Sequence, residues 1–147
     1  MPFSRKLKIM QKAPDSQDYT FANLVELFKQ GKFMEVLRIA QPMIDQNPNE
    51  INLINIFGAA AAISGQFLLA EDYLKRALEI DKGNPELHNN MGNVLLQQKK
   101  YHQSVSHFKQ AVEAQPGNCK FYSGLGIALM SIDRINDAEK VLKTAVS

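Results

Sequence analysis

Bulky and small apolar residues recur along this chain with a period of 34 positions. Shifted by that interval without a gap, Gly58, Gly92 and Gly126 coincide, as do Phe57, Met91 and Leu125 just before them. Ala70, Ser104 and Ala138 fall together, then Leu74, Phe108 and Leu142, then Ala77, Ala111 and Ala145. One period earlier, Phe33 matches Phe67, Tyr101 and Ile135. A fixed period in this range marks a stacked repeat, in which no unit buries its apolar face alone.

Four units follow: 17–50, 51–84, 85–118 and a cut-short 119–147. Each reads as two helices. Asn84 is a plausible N-cap with Pro85 at the first helical position, and Asn118 and Asn49 are placed likewise. The first helix runs to a turn near Gly31, Gly65, Lys99 or Asp133, and the second continues to the loops at Pro48 and Pro116. Gly58, Gly92 and Gly126 let the two helices approach closely, with Ala70, Ser104 and Ala138 facing them; a large side chain at either place would push them apart. Within the first unit, Pro42 lies inside the second helix, where it removes a backbone bond and should bend or loosen the last turn.

Residues 85–118 show His88, Met91-Gly92, Leu95, Ser104, Phe108, Ala111 and Pro116; residues 51–84 show Ile54, Phe57-Gly58, Ala61, Ala70, Leu74, Ala77 and Lys82. In spacing and size together this resembles the tetratricopeptide repeat (TPR) family over about 130 residues. The resemblance implies an all-α, right-handed superhelical solenoid of stacked antiparallel helix pairs, with first helices lining a concave wall. The first unit departs from the pattern, with Asn23-Leu24 in place of Leu-Gly and the sizes of Val36 and Ala40 reversed. It reads as a degenerate, cap-like repeat.

The family's groove positions fall on Asp18, Phe21, Ala22, Val25 and Phe28; on Asn52, Asn55, Ile56, Ala59 and Ile63; on Glu86, Asn89, Asn90, Asn93 and Gln97; and on Lys120, Ser123, Gly124, Ile127 and Ser131. They recur at three and four residues, forming one helical stripe. The stripe is apolar toward the N-terminus and amide-rich in the middle. Asn and Gln donate and accept at once, which suits an extended peptide of mixed sequence. The Lys-Asn-Asn-Lys-Arg clamp with which some TPR proteins hold a C-terminal carboxylate is absent, since Glu86 and Asn90 stand at the cationic places. Of the asparagine ladder of TPR glycosyltransferases, only Asn90 survives among Ala22, Ile56, Asn90 and Gly124.

Charge and composition narrow the function further. Arg5, Lys6, Lys8 and Lys12 against Asp15 give residues 1–16 a net +3, leaving about −1 for the rest. Residues 1–16 read as an exposed, flexible basic leader, and the near-neutral remainder argues against nucleic acid. The longest apolar run, Ile56 to Ile63, is far short of the roughly 20 residues that span a bilayer, so no membrane is expected. Cys119 is the sole cysteine, and no apolar segment follows the basic start, which points to the cytoplasm.

Nothing in the chain reads as a catalytic site. His88 fills a packing slot, and His102 and His107, five apart, lie on different faces of a helix rather than at metal-binding spacing. Gly124-Leu125-Gly126 sits in mid-helix rather than in a phosphate loop. Neither metal nor cofactor is expected. The expected role is a non-catalytic interaction module binding a protein or peptide; the alternative is the positioning arm of a larger enzyme such as a sulfotransferase or glycosyltransferase. Leu142, Ala145 and Val146 belong to a face on which a further helix would stack, so the expectation is that either the native protein continues or two chains associate end to end through the last helix.

Overall fold

The computed structural model describes residues 18–147; the basic leader lies outside them. Among the described residues there are eight helices and no strand: α1 (Phe21–Lys29), α2 (Phe33–Gln46), α3 (Ile51–Ile63), α4 (Phe67–Ile80), α5 (Pro85–Gln97), α6 (Tyr101–Ala114), α7 (Cys119–Met130) and α8 (Ile135–Val146). The period of 34 is thus a period of helix pairs, each joined by a short turn.

The four turns share one backbone solution. Gly31, Gly65, Lys99 and Asp133 all adopt positive φ, at 75°, 80°, 61° and 61°. The next N–H in each case reaches back five residues: Lys32 to Leu27, Gln66 to Ala61, Lys100 to Leu95 and Arg134 to Leu129, at 2.8–3.0 Å. This is the Schellman termination, which satisfies carbonyls that the helix end would leave open. Glycine enters it freely, whereas Lys99 and Asp133 hold a left-handed conformation at steric cost.

The helix starts correct two expectations. Asn84 and Asn118 cap as expected, accepting from Leu87 N and Lys120 N, but between them and the N-terminus Glu50, not Asn49, is the cap. Glu50 is the residue in register with Asn84 and Asn118, and its carboxylate accepts from Asn52 N at 3.4 Å. In the first pair, α1 begins at Phe21, four residues later than the register, because Thr20 and Asn23 form a reciprocal capping box there. Pro42 does not end α2; the helix runs on to Gln46, and Asn47 N closes it on Met43 O at 3.0 Å.

Within each pair the glycines make the close approach. A Cβ on Gly58 would lie 2.9 Å from Leu74, one on Gly92 2.9 Å from Phe108, and one on Gly126 2.6 Å from Leu142. Ser104, buried, donates its hydroxyl to the carbonyl of Gly92 at 2.7 Å, pinning α6 to α5. Each first helix brings its backbone close to the next (α1 to α3, α3 to α5, α5 to α7). The second helices stand farther apart and meet only through long side chains, as where the Tyr73 hydroxyl on α4 donates to Gln41 Oε1 on α2 at 2.8 Å. A stack whose one row is crowded and whose other row is splayed curves toward the crowded row, so the first helices form the inner wall. No helix contacts another more than two places away.

Candidate functional site

Two cross-links on the first helices tie the groove positions into a surface. Asn90 Nδ2 on α5 donates to Asn55 Oδ1 on α3 at 2.7 Å. Lys120 on α7 meets Glu86 on α5 at 3.2 Å, an exposed pair spaced by one full repeat. Exposed pairs of this kind contribute little to stability, so their effect is to fix side-chain direction along the wall. Asn52, Asn93, Gln97 and Ser123 are exposed, and their side chains have no partner among the described residues. Asn93 and Gln97 also line a hollow of about 400 Å³ with Ala62, Ile63, Gly65 and Phe67. Amide donors and acceptors thus stand beside an apolar recess.

The N-terminal part of the stripe is less open. Phe21 is 41% exposed, but Val25 is half-buried and Phe28 is turned edge-on to Phe33, with ring centroids 5.1 Å apart. Ala59 is half-buried. Two placements depart from the sequence reading. Asn89 is buried, at 2% exposure, and its Nδ2 has no hydrogen-bond partner. Gly124 is not an open groove position: a Cβ there would lie 2.3 Å from Phe108 Cε1. It is the point where α7 lies against α6. Helical spacing alone could not show either, because both depend on how the next pair rotates over the previous one.

A second cluster, between the splayed second helices, went unread in the sequence. Glu71 on α4 is buried and accepts from Lys75 at 2.7 Å, Gln98 at 2.8 Å and Lys100 at 3.0 Å. The Lys75 hydrogen bond, with those of Gln98 and Lys100, outweighs burial and holds the carboxyl well below its usual range, at about 2. Beside it lies a crevice of about 320 Å³ over Met91 and Leu95, walled by Lys75, Glu79 and His107.

His88 does fill a packing slot, at 6% exposure, but it is also bonded on both nitrogens. Nε2 lies 2.7 Å from the carbonyl of Lys82, which only accepts, so this nitrogen carries a proton. Nδ1 then accepts from His107 Nδ1–H at 3.0 Å. The ring centroids are 5.2 Å apart, the N···N distance plus roughly a ring radius at each end. The nitrogens point at one another and share a proton; they do not converge on a metal position. Burial, with a contribution from His88, lowers the pKa of His107. His102 is exposed and takes no part. Among the described residues no group of three His, Cys, Asp or Glu side chains is arranged to hold a metal.

Comparison with known proteins fits this geometry. Two tetratricopeptide-repeat family models match residues 73–105 and 95–147. The solved structure of MamA from Desulfovibrio magneticus superposes with a TM-score of 0.77 at 21% identity, over 91% of this chain and 76% of that one. The chain is a tetratricopeptide-repeat protein. A thermophilic TPR protein of Thermus thermophilus gives 0.79 at 14% identity, over 86% and 71% of the two chains. A Thermobaculum terrenum O-GlcNAc transferase gives 0.71 at 25% identity over 74% of this TPR chain, which spans 21% of the transferase. No curated protein matches in sequence. No helix among the described residues is long and apolar enough to cross a membrane.

Proposed function

We propose that this chain is a non-catalytic interaction module that takes a peptide segment or a partner surface in its concave groove. The observation that carries the reading is the Asn55–Asn90 bridge at 2.7 Å, flanked by the exposed amides of Asn52, Asn93 and Gln97. An extended peptide leaves its own N–H and C=O groups to be satisfied, and amides offer both partners without requiring a charge. The hollow beside Ile63 adds an apolar seat for one side chain.

Selection from a random displayed-peptide library tests this. The wild-type chain should enrich peptides that the Asn90→Ala, Asn93→Ala double variant no longer retains, at unchanged helicity by circular dichroism. Equal retention by both proteins would sink the groove assignment.

A second reading is favoured by the O-GlcNAc transferase likeness, in which a chain of this fold is about a fifth of a larger enzyme. On that reading the groove positions a substrate for a catalytic domain elsewhere. An immunoblot of the native protein separates the two: a band far above 16.5 kDa supports the second, and a band at that mass counts against it.

A further inference from the structure

Glu71 marks a joint between successive helix pairs. Its carboxylate, on α4, is held by Gln98 and Lys100 from the α5–α6 turn of the next pair, with Lys75 one helical turn on completing the node. The 34-residue register places both halves of this joint elsewhere in the chain. Two periods after Glu71 and Lys75 stand Glu139 and Lys143 on α8, paired with each other at 2.6 Å as Glu71 and Lys75 are at 2.7 Å. Two periods before Gln98 and Lys100 stand Gln30 and Lys32, in the α1–α2 turn.

Neither half meets its counterpart. The Glu139 side chain is 60% exposed, with only Lys143 paired to it among the described residues. Lys32 is exposed, and among the described residues Gln30 reaches only Glu26 on its own helix, at 3.0 Å. At the intervening joint the carboxylate and amide places are taken by Val105 and Ile132, which share one core cluster, while Lys109 and Arg134 keep the cationic places. A carboxylate without a facing amide and lysine, or the reverse, is thus a half-made node, and the exposed carboxylate on α8 fits the exposed donors of the α1–α2 turn.

The apolar surfaces agree. Ile135 (55% exposed), Leu142 and Val146 (88% exposed) wall an open hollow of about 420 Å³ on α8. Leu142 is in register with Phe108, which is fully buried under Gly124. Three periods before Gly124 stands Ala22, also small but exposed. Small over large is the rule at the Gly124–Phe108 contact, and Ala22 over Leu142 keeps it.

We propose that a second copy of this chain seats its α1–α2 pair on α8, so that Gln30 and Lys32 of one protomer hold Glu139 of the other and Ala22 covers Leu142. The two faces are different surfaces, so the contact is heterologous and extends the solenoid head to tail rather than closing a two-fold dimer. It is independent of peptide capture, which uses the inner wall.

Sedimentation of the full chain over a roughly hundredfold concentration range tests the proposal. The wild-type mass should rise with concentration beyond that of a dimer. Lys32→Glu and Glu139→Lys should each weaken association by about tenfold or more, since each sets like charges across the joint. Mixed together, these two variants should grow again as alternating chains, because Lys32 meets Glu139 at one junction and the exchanged charges meet at the next. Both changes in one chain should restore growth. Both residues are exposed, and circular dichroism confirms that each variant is folded; Lys32→Gln and Glu139→Gln serve in place of one that is not. A wild-type chain that stays monomeric overturns the proposal. So does a dimer that Lys32→Glu leaves intact, which would place α8 against α8.

Discussion

Gly124 lies flat against the ring of Phe108, so close that an added Cβ would stand 2.3 Å from Cε1 and 2.7 Å from Cζ. Phe108 is fully buried and is held on another side by Gly92, whose own added Cβ would lie 2.9 Å from the ring. Gly124→Ala should gain about 1 kcal/mol of helix propensity and lose more to overpacking, which costs about 1–3 kcal/mol. The expected net effect is destabilisation, read as a lower urea midpoint. Combining it with Phe108→Leu should cost less than the sum of the two single changes, since the residues share one contact. Gly83→Ala is the control, because a Cβ there meets nothing within 4 Å.

Lys99 and Asp133 occupy the left-handed position that Gly31 and Gly65 fill without strain. A side chain there costs about 1–2 kcal/mol, while glycine costs roughly 0.5–1 kcal/mol in the unfolded chain. Lys99→Gly and Asp133→Gly should each stabilise the protein by about 0.5–1 kcal/mol. Gly65→Ala should do the reverse, through φ alone, since its Cβ would meet open space. Thermal melts of the three variants check the signs.

The Glu71 node should show in acid. Its carboxyl sits near 2 in the folded protein against 4.5 for the free group, so the folded state binds this proton less readily than the unfolded chain. The resulting stability is present above about pH 4.5 and is lost as the pH falls toward 2. Glu71→Gln should cost roughly 1.5–3 kcal/mol at neutral pH, the usual worth of a hydrogen bond to a charged group. It should also flatten the acid limb of the stability curve. An unchanged limb would mean that other carboxylates dominate it.

The histidine pair acts at milder pH. Burial lowers the pKa of His107 below 6.5, although Glu71 opposes the shift. Lys75, Glu79 and Lys82 line the same crevice. Below about pH 6.5 the unfolded chain takes up a proton that folded His107 resists, so stability should decline as pH falls through that window. His107→Asn keeps a donor for His88 and removes the titration. Urea midpoints for wild type and variant should converge near neutrality and separate below it, with the variant less sensitive to acid.

The repeat was legible because it rests on residue size. The glycines, the alanines facing them and the large residues between them recur at fixed intervals, and the helix pairs follow directly. The turns were legible at Gly31 and Gly65 and, through the period, even at Lys99 and Asp133, whose side chains carry no turn preference as strong as glycine's. The cap at Glu50 was missed because Asn49 is the better capping residue in isolation; the register, not the side-chain preference, decides which residue ends up at the helix start. The histidine pair and the Glu71 node were beyond reach for another reason. His88 and His107, 19 residues apart, and Glu71 with Gln98 and Lys100, 27 and 29 apart, meet only once the rotation between helix pairs is known. Asn89 and Gly124 were assigned to the groove by spacing, and that same rotation turned them into the stack.

Contacts confined to neighbours no more than two helices apart also determine how the molecule comes apart. Releasing a terminal pair breaks one seam and leaves the remainder intact, whereas releasing a middle pair breaks two. The nine-residue α1 should therefore fray first and α5–α6 last, giving a gradient of amide exchange along the chain in place of a single cooperative opening. A melting temperature for such a molecule is an average over a sequence of partial unravellings, and anything that caps either end raises it by suppressing the first of them.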